Sequence, residues 1–533
     1  MRAKSTFSVF FLFIVSAIFA QTPTIKWHYD INDSSFGISA AADLDFDGYL
    51  ELAFSCYRND CTIYVLNAED GSLLWKYNTG GCNDVAPLIY DVDMDDTLEV
   101  ILPSSCNPTT FCFNGPDGTI EWTTSLHGSD SPPTVGDLDN DGKPEILHGN
   151  FGGWVTCLNG EDGSINFDLP VDLNSWIQTA PVILDADNDG QLDFIVGNWS
   201  FDTLHTVKCY RGDNQQLLWT SYLPNDVMYH GSAFADIDND GYQEIILGDY
   251  SGQLMVLNAE NGSLKWNYYF SSPYYIGSPV SIGDLNNDGY YEIVFFDAWR
   301  LGVLSHTGSL LWDFNIPGYA SAFRGAALSD VNNDDTLDVV FGTSDGIVYA
   351  LNGSQGNQLW NIDLWADYGD TLEFDHAPVI SDFDKDGYLD FFIVGGKTNY
   401  PNISGNYGRA YAVSMNSSGG PDWLMFQRDS VRSSRVPIDS ALVIKNNNLI
   451  DYKIECFPNP AKENFTIEYK LPAAANVKIE ILNITGQVND IIIDKYQLPG
   501  SYIIRYENKF KSCVFLLQFN VNNNIINKKI VIY

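Results

Sequence analysis

Over most of its length the chain alternates short apolar runs with turns rich in Gly, Asn and Asp. Typical runs are Ala180–Leu184 and Leu192–Val196, in which β-branched, aliphatic and aromatic side chains predominate. Runs of this kind that are bounded by turn residues and lack a 3.6-residue period predict strands rather than helices. The pattern therefore predicts an all-β protein.

One acidic unit recurs with the pattern D-x-D-x-D-G-x-x-(D/E), first at Asp43–Glu51. Its copies begin 46 to 52 residues apart, which is the length of a four-stranded propeller blade. We therefore predict an eight-bladed β-propeller over residues 21–435, with seven blades and a degenerate unit as the alternative. The eight copies begin at Asp43, Asp91, Asp137, Asp185, Asp236, Asp284, Asp330 and Asp382.

An aromatic residue marks the fourth predicted strand of each unit. Because it recurs once per unit, we interpret it as a structural wedge between neighbouring sheets. Trp27 precedes the first complete unit and predicts a strand that pairs with the last blade and closes the ring. The expected wedges are Trp75, Trp122, Phe167, Trp219, Trp266, Trp312, Trp360 and Trp423.

The acidic nonapeptides predict Ca²⁺ sites, up to eight in number. Calcium takes six to eight oxygen ligands, which positions 1, 3, 5 and 9 supply from side chains and position 7 from its carbonyl. Glycine at position 6 permits a positive φ, and Asp96 and Asp335 replace it in two units. Asn286 and Asn332 each replace a carboxylate and predict weaker sites. The predicted metal ligands are Asp43, Asp45, Asp47, Glu51, Asp91, Asp93, Asp95, Glu99, Asp137, Asp139, Asp141, Glu145, Asp185, Asp187, Asp189, Asp193, Asp236, Asp238, Asp240, Glu244, Asp284, Asn286, Asp288, Glu292, Asp330, Asn332, Asp334, Asp338, Asp382, Asp384, Asp386 and Asp390.

The formal net charge of −41 agrees with a cation-binding protein. It excludes nucleic acid and anionic membranes as partners, because both would be repelled. The eight nonapeptides hold 32 of the 69 acidic side chains, and such crowding calls for a counter-ion.

Both ends of the chain carry export signals. Residues 1–20 predict a signal peptide, with Arg2 and Lys4 ahead of an apolar run and Ala20 at the cleavage point. No later stretch has the length of a transmembrane segment. The charge changes sign near the other end: residues 21–440 carry 15 basic and 61 acidic side chains, against 11 and 8 in residues 441–533. We therefore predict a linker over 436–455 and a small β-sandwich over 456–533.

Two family resemblances extend this interpretation. Phe36-Gly37 followed by Asp43–Glu51 resembles the FG-GAP repeat (integrin-α-type, also called VCBS), which implies a calcium-binding β-propeller. The later half of each unit, as in Ala68–Trp75, resembles quinoprotein-type propeller repeats.

Residues 456–533 resemble the C-terminal sorting domain of the Bacteroidota type IX secretion system. The resemblance rests on Pro458-Asn-Pro460, Leu471-Pro472, Asn483–Gly486 and Lys528-Lys529. It implies that the type IX machinery is a partner, and that the mature protein is secreted or held at the outer-membrane surface.

Propellers present ligands on the loops between the fourth strand and the next first strand. We expect these loops to form a polar and aromatic ring that suits a carbohydrate or a protein loop. Histidines are scattered, without H-E-x-x-H or G-x-S-x-G motifs, so we predict a non-catalytic adhesion or ligand-binding module. The alternative is a calcium-dependent polysaccharide lyase, in which His230, His376 and Arg324 would remove a proton from a uronic acid. The predicted ligand-binding residues are Asp84, Asp130, Gln178, Tyr229, His230, Tyr275, Arg324, Asp375 and His376.

The nine cysteines leave the disulfide pairing open. Cys56 with Cys61 and Cys106 with Cys112 could form hairpin disulfides in an oxidising compartment. Cys112, Cys157 and Cys209 fall at one repeat position and are expected to be small buried hydrophobic residues. In the sorting domain, pairing of Cys456 with Cys513 is conceivable.

Overall fold

The computed structural model describes residues 22–428, except 203, 227–230, 272, 278, 375 and 426. Within 455–532 it describes seven strands and residues 462 and 509. The predicted signal peptide lies outside the described residues, as does most of the predicted linker. The chain divides into two compact units, Met1–Pro437 and Ile438–Tyr533, and each is described by itself.

The first unit contains eight four-stranded antiparallel sheets among its described residues, one for each acidic nonapeptide. In seven of them, four consecutive strands pair in chain order apart from a small insertion in sheet 4. Sheet 1 has β2 (Ala40–Ala42), β3 (Glu51–Ser55), β4 (Thr62–Asn67) and β5 (Leu73–Asn78); sheet 2 has β6 (Leu88–Tyr90), β7 (Glu99–Pro103), β8 (Thr109–Asn114) and β9 (Ile120–Ser125); sheet 3 has β10 (Thr134–Gly136), β11 (Glu145–Gly149), β12 (Trp154–Asn159) and β13 (Ile165–Pro170); sheet 4 has β15 (Val182–Leu184), β16 (Asp193–Gly197), β18 (Thr206–Arg211) and β19 (Leu217–Tyr222). Sheet 5 has β20 (Ala233–Ala235), β21 (Glu244–Gly248), β22 (Leu254–Asn258) and β23 (Leu264–Tyr268); sheet 6 has β24 (Ser281–Gly283), β25 (Glu292–Asp297), β26 (Arg300–Leu304) and β27 (Leu310–Asn315); sheet 7 has β28 (Ala327–Ser329), β29 (Asp338–Gly342), β30 (Ile347–Leu351) and β31 (Gln358–Asp363); sheet 8 has β32 (Val379–Ser381), β33 (Leu389–Lys397), β34 (Tyr407–Ser417) and β1 (Thr24–Ile31).

A few short elements connect these sheets. β14 (Ser175–Trp176) and β17 (Trp199–Ser200) form a two-stranded sheet beside sheet 4. The single described α-helix, α1 (Leu364–Tyr368), is capped at its N-terminus by Asp363, and 3₁₀ turns span Pro317–Tyr319 and Ile403–Gly405. The all-β prediction is therefore confirmed, and the sheets form a β-propeller-like fold.

The second and third strands of each sheet are buried on both faces, because a neighbouring sheet covers each side. All five residues of β3 are buried, for example. Sheet 8 and sheet 1 share a core that includes Phe54, Tyr64 and Phe392. This arrangement explains why the inner strands have continuous apolar runs, whereas polar residues are frequent in the fourth strands.

The first described strand closes the ring, as predicted. β1 pairs antiparallel with β34, so the N-terminal strand is the outer strand of the last sheet. The Trp27 indole then donates a hydrogen bond to the Ala68 carbonyl of sheet 1, with an N–O distance of 2.8 Å. Trp423 was expected to hold this fourth-strand place and does not; it pairs instead with Ile380 of β32.

The tryptophan wedge links neighbouring sheets by the same contact. In six of the seven described wedge tryptophans the indole N–H donates to a backbone carbonyl near the turn between the third and fourth strands of the next sheet, whereas Trp360 Nε1 has no hydrogen-bond partner. Gly71 is such a turn residue, with φ +74°, and a Cβ there would lie 2.5 Å from the Trp27 ring. Where Phe167 replaces tryptophan, the corresponding turn carries Gln215 instead of glycine. Described donor and acceptor pairs are Trp27 and Ala68, Trp75 and Gly115, Trp122 and Gly160, Trp219 and Ala259, Trp266 and His306, and Trp312 and Gly353.

Residues 421–425, 427 and 428, which we call the axial segment, lie along the innermost strands. Trp423 exchanges two backbone hydrogen bonds of 2.8 Å with Ile380 of sheet 8, and the Leu424 carbonyl accepts one of 2.7 Å from Ala41 of sheet 1. Gln427 donates to the carbonyl of Ser232, beside sheet 5. Because first strands line the centre of a propeller, these contacts place the segment along the ring axis.

One disulfide lies among the described residues, between Cys82 and Cys106, with a Cα–Cα distance of 5.0 Å. The predicted pairings of Cys56 with Cys61 and of Cys106 with Cys112 were therefore wrong. Each predicted pair lies within one hairpin, whereas the observed disulfide joins cysteines of two different loops. Cys112 is free and buried, as are Cys157 and Cys209, which confirms their prediction as small hydrophobic residues. The Cys456 and Cys513 side chains lie outside the described part.

The second unit contains two antiparallel sheets. Their apolar faces share one core, to which Phe465 and Tyr469 contribute from one sheet and Ile479 and Phe519 from the other. This confirms the predicted β-sandwich. One sheet has β35 (Glu455–Phe457), β36 (Asn464–Leu471) and β39 (Gly500–Glu507), and the other β38 (Val488–Gln497), β37 (Ala475–Leu482), β40 (Cys513–Val521) and β41 (Asn524–Ile532). Among the described residues of the whole chain, no helix has the length and apolar character needed to span a membrane.

Ring closure gives a first prediction. Trp27→Ala should reduce the free energy of unfolding by about 3 kcal/mol, because it removes the wedge between the last and first sheets. Trp27→Phe should cost about 1 kcal/mol, since it removes mainly the hydrogen bond to Ala68. Chemical denaturation measures both. Tyr222→Ala, at a fourth-strand tyrosine that is 73% exposed, is the control and should change stability by less than about 0.5 kcal/mol. Equal effects at Trp27 and Tyr222 would contradict the role of Trp27 in closure.

Candidate metal sites and ligand face

The eight acidic nonapeptides share one backbone conformation. Each forms the loop between the first and second strands of its sheet, so all eight lie at one end of the ring. Position 6 has a positive φ in every loop, as predicted, including Asp96 at 72° and Asp335 at 64°. Position 4 also has a positive φ throughout, from 58° at Asn140 to 63° at Phe46, and this second bend was not predicted. Asparagine, which tolerates this conformation, occupies position 4 in five of the eight loops.

Carboxylates inside each loop hold it in shape. In loop 4 the two oxygens of Asp185, at position 1, accept hydrogen bonds from the backbone N–H groups of Asp189 and Gly190, at 3.0 and 2.9 Å. The carboxylate of Asp189, at position 5, accepts from the N–H of Gln191 at 2.9 Å. The position 5 bond is present in all eight loops. The oxygens of position 1 and position 3 are thereby directed into the loop.

The carboxylate at position 9 is buried in every unit. Glu99, for example, is fully buried and accepts a 2.8 Å hydrogen bond from the backbone N–H of Val92 at position 2. The equivalent bond to position 2 is present in all eight loops. Burial, with the charges of the neighbouring loop aspartates, raises the pKa of Glu51 to about 8 and that of Glu145 to about 7. A bound cation would offset the free-energy cost of burying these carboxylates in their ionised form.

The donor set fits a divalent cation. Carboxylate oxygens of positions 1, 3 and 9 lie within 4.8 Å of one another in loops 1 to 5. Several buried oxygens have no hydrogen-bond partner, among them Oδ1 of Asp43, Asp137, Asp187 and Asp238. Unpaired buried carboxylate oxygens that converge on one point are what a hard cation requires.

The residue just before the wedge reaches into the acidic loop of its own sheet. Lys265 Nζ lies 2.6 Å from Asp238 and 2.8 Å from Glu244 in sheet 5. Lys26 lies 2.5 Å from Asp384 in sheet 8. At the same position, Asn166 donates a 3.1 Å hydrogen bond to Asp139 in sheet 3. This position was missed at the sequence level, although a lysine directly before a wedge tryptophan was visible in the repeat.

The remaining units show how variable this position is. Sheet 2 has Glu121, whose pKa is raised by burial and by the charge of Asp93. Sheets 1, 4, 6 and 7 have leucine. In sheet 4, Arg211 instead contacts the loop, with its Nη2 3.2 Å from Asp187 and 2.5 Å from Asp189. The eight loops therefore share one ligand set but differ in the charge that surrounds it.

At the opposite end of the ring, several predicted ligand-binding residues come together in a cluster that we call the mouth cluster. It comprises Asp84, Asp130, Gln178, Arg324 and His376, each on a loop that leads into a first strand. The Gln178 amide donates a 2.7 Å hydrogen bond to Asp130 Oδ2. Arg324 donates to the carbonyls of Phe36 and Asp84 and forms a parallel bridge with His376.

The mouth cluster holds buried acceptor atoms that have no partner. These are Oδ1 of Asp84 and Asp130, Oε1 of Gln178 and Nε2 of His376. His376 is 1% exposed, Gln178 4% and Asp130 7%. Burial raises the pKa of Asp130 well above its usual range, and the charge of Asp84 adds to the shift. Burial and the charge of Arg324 lower the pKa of His376 to about 4.

The other predicted ligand residues do not join this cluster. Tyr229, His230 and Asp375 lie outside the described residues. The Tyr275 ring stacks on Tyr250 and packs edge-on against Phe323, with centroid distances of 5.6 and 5.7 Å. Tyr275 therefore belongs to a series of aromatic contacts beside the mouth, which sequence reasoning did not find.

Two family models match parts of the chain. An FG-GAP-like repeat matches residues 185–247 and 236–295, and a secretion system C-terminal sorting domain matches residues 455–533. The chain contains FG-GAP-like repeats and a type IX sorting domain. Such sorting domains mark proteins that the type IX secretion system exports to the cell surface or the extracellular space. The resemblances to the FG-GAP repeat and to the sorting domain, inferred from the motifs, are thus confirmed.

Curated relatives of this FG-GAP-repeat protein are distant. An endo-acting ulvan lyase of Formosa agariphila is 25% identical over 181 residues, which is 34% of this chain and 28% of the lyase. The outer membrane protein assembly factor BamB of Yersinia pestis is 22% identical over 316 residues, 51% of this chain and 76% of that protein. The match to the lyase thus spans little more than a quarter of its length.

Solved structures resemble the fold. The V. cholerae biofilm matrix protein Bap1 aligns with a TM-score of 0.57 at 13% identity, over 78% of this chain and 96% of that one. Sqt1 of Saccharomyces cerevisiae aligns with a TM-score of 0.54 at 12% identity, over 74% of this chain and 99% of that one. At such identities the likeness concerns the fold alone.

The acidic loops predict a cation-dependent stability. Chelation with EDTA should lower the melting temperature, and Ca²⁺ should restore it, because each saturated site adds roughly 2–3 kcal/mol at a hundredfold excess over its Kd. Calorimetric unfolding with and without EDTA measures the effect. Melting that is indifferent to both additions would contradict metal binding by the loops.

The lysine before the wedge predicts unequal sites. Lys265→Leu, which creates the arrangement found in sheets 1, 4, 6 and 7, should add one strong Ca²⁺ site, because it removes a competing cation from the loop. Isothermal titration calorimetry measures the stoichiometry. Lys397→Leu is the matched control, since its ammonium contacts Glu373 at the end of β33 that is remote from the acidic loop and its removal changes net charge equally. A rise in both variants would show a general charge effect instead.

Proposed function

We propose that this exported protein is a calcium-stabilised, non-catalytic binding module whose ligand site is the mouth cluster. The supporting observation is the set of buried acceptor atoms without partners on Asp84, Asp130, Gln178 and His376. A buried polar group without a partner costs free energy. Four such groups at one end of the ring are best explained by a ligand that supplies hydrogen-bond donors.

Calcium is the cation that we propose for the acidic loops. The donors are carboxylate, amide and carbonyl oxygens, which suit a hard cation rather than zinc or copper. The loops lie at the opposite end of the ring from the mouth cluster, so the ions would stiffen the hairpins without touching the ligand. Sites 6 and 7, with asparagine at position 3, should bind more weakly, as should sites 5 and 8, where lysine occupies the loop.

Binding accounts for the charge around the mouth better than catalysis does. Elimination from a uronic acid needs a base and a positive group that neutralises the substrate carboxylate. Arg324 already donates to the carbonyls of Phe36 and Asp84, and the acidic propeller, with 61 acidic against 15 basic side chains in residues 21–440, would repel an anionic sugar. The mouth therefore favours a ligand without negative charge.

A polysaccharide lyase is the second candidate. It draws support from the partial match to an ulvan lyase and from His376, whose pKa of about 4 leaves it neutral at physiological pH and able to accept a proton. In this alternative His376 would be the base and Arg324 would bind the carboxylate.

The export route sets where the binding would occur. With a type IX sorting domain, the protein is handled by that secretion machinery and reaches the cell surface or the medium. We propose that it acts there in adhesion, by holding a glycan or a protein of the surroundings.

The mouth cluster gives the next prediction. Asp130→Asn should weaken binding of the retained ligand at least tenfold, because one of the two carboxyl oxygens is replaced by an amide N–H₂ that cannot accept a hydrogen bond. Its stability should stay equal or rise, since the amide cannot take on the charge that burial disfavours. A glycan and protein array, run with Ca²⁺ and with EDTA, identifies the ligand, and calorimetry gives its Kd. Asp213→Ala, at an exposed turn in sheet 4, is the control. Equal binding by Asp130→Asn and the native protein would contradict the proposed site.

Ultraviolet absorbance of unsaturated products tests the alternative. Ulvan, pectin and alginate should be left intact by the native protein. Product formation that His376→Ala abolishes would overturn the non-catalytic proposal and establish the lyase.

A further inference from the structure

A curved series of aromatic side chains lies on the loops at the mouth end of sheets 3 to 7. We call it the aromatic arc and define it by Trp176, Phe201, Tyr250, Tyr274, Trp299 and Tyr319. Tyr319 is 83% exposed, Phe201 55%, Tyr274 49% and Tyr250 44%. Exposed aromatic groups in this number on one face are unusual for a surface without a ligand.

The rings contact one another in two groups, one that reaches Tyr250 and one around Trp299, and Tyr250 also stacks one face on Tyr275. Trp176 packs edge-on against Phe201, with centroids 5.0 Å apart. Trp176 also lies opposite Trp199 in the two-stranded sheet, and Trp199 packs edge-on against Tyr250 at 5.2 Å.

The series continues across sheet 6. The ring centroid of Trp299 lies 4.1 Å from that of Tyr274 and 5.9 Å from that of Tyr319, and the contact with Tyr319 is edge-on. An edge-on contact uses the rim of one ring and leaves one of its faces available for another partner. The arc is therefore a row of rings rather than a closed apolar cluster.

Hydrogen bonds between neighbouring loops fix the arc in place. The backbone N–H of Tyr274 donates to Asp297 Oδ1 at 2.7 Å. The N–H of Ser200 donates to Asp226 Oδ1 at 2.7 Å, and the N–H of Tyr250 donates to the Asp226 carbonyl at 2.9 Å. Loops tied in this way need little ordering on binding, which lowers the entropic cost.

Most carboxylates beneath the arc are hidden rather than presented. Asp249 is fully buried and Asp297 is 2% exposed. Asp297 also pairs with Arg300 at 2.8 Å, and Asp226 accepts from His205 at 2.7 Å. Asp202, next to Phe201, is exposed and accepts hydrogen bonds from Ser200 and Asn174. The arc itself therefore presents mainly rings and hydroxyl groups, whereas the propeller as a whole is strongly acidic and repels polyanions.

The arc leads to the mouth cluster along the chain. Trp176 precedes the cluster residue Gln178 by two positions. Phe323, whose ring contacts Tyr275, directly precedes Arg324. A ligand that lies on the rings can therefore place one end beside the unpartnered acceptors of the mouth.

We propose that the aromatic arc binds a neutral polysaccharide, with successive sugar rings stacked on the aromatic faces and the hydroxyl groups of one residue donating to the mouth cluster. This inference rests on the proposed binding function and names its ligand class. Sugar rings have apolar C–H faces for the aromatic rings and hydroxyl donors for the acceptors. A partner protein would bury a compact apolar centre, whereas this row crosses several sheets. Polyanions are disfavoured by charge.

The test compares two exposed tyrosines at opposite ends of the ring. Tyr250, on the arc just after β21, and Tyr90, at the end of β6 on the side of the acidic loops, are 44% and 37% exposed. Binding to soluble β-glucan, mannan, xylan, alginate and poly-lysine is measured by calorimetry with the full mature protein in Ca²⁺. At least one neutral polysaccharide should bind. Tyr250→Ala and Trp299→Ala should each raise its Kd by roughly tenfold, by analogy with stacking on an aromatic platform, and Tyr90→Ala should not.

The outcomes separate this inference from the proposed function. If Asp130→Asn weakens binding of the neutral polymer but Tyr250→Ala does not, the aromatic arc is not the polysaccharide-binding surface, and the proposed binding function of the mouth cluster is retained. Binding of alginate or poly-lysine alone would overturn the neutral class. Failure to retain any polymer or any array ligand would overturn the proposed function together with the inference.

Discussion

The fold depends on a carboxylate that begins the second strand of every sheet. At this point the chain has turned sharply and buries an acidic side chain under the next strand, as with Glu51 and Asp338. A buried charge is tolerated only when something compensates it. Here the backbone N–H of the second loop residue donates one hydrogen bond to it, and in two sheets a lysine, Lys265 or Lys26, adds an ion pair. In the other sheets a bound cation would supply the missing compensation. The acidic composition is thus concentrated where the hairpins turn.

The repeat made most of the fold predictable, because the loop, the strands beside it and the wedge recur with one spacing. Trp27 was recognised as the closing strand for the same reason. Trp423 was misassigned on residue type alone, because it follows Trp360 by 63 residues, against 45 to 52 between the other wedges, and the fourth place is taken by β1. Sequence repetition therefore predicts the strands well. It predicts strand pairing less reliably when two segments could occupy the same place in a sheet.

Features that depend on several sheets could not be predicted. The Cys82–Cys106 disulfide joins two loops, whereas the sequence suggested neighbours within one hairpin. The mouth residues were found by counting back from each acidic loop, which works because every blade places that position alike. The aromatic arc escaped this count, since its rings come from two kinds of loop at different distances along the repeat.

The axial segment has a mechanical consequence. Trp423, Leu424 and Gln427 bond to sheets 8 and 1 and to a residue beside sheet 5, and they lie just before the part of the chain that leads to the sorting domain. A pulling force applied from that side would act first on this buried strip and on the ring that surrounds it. A force transmitted through the chain after residue 428 would thus be spread over several blades at once. The ring would then unfold as a unit, and no single sheet would separate first.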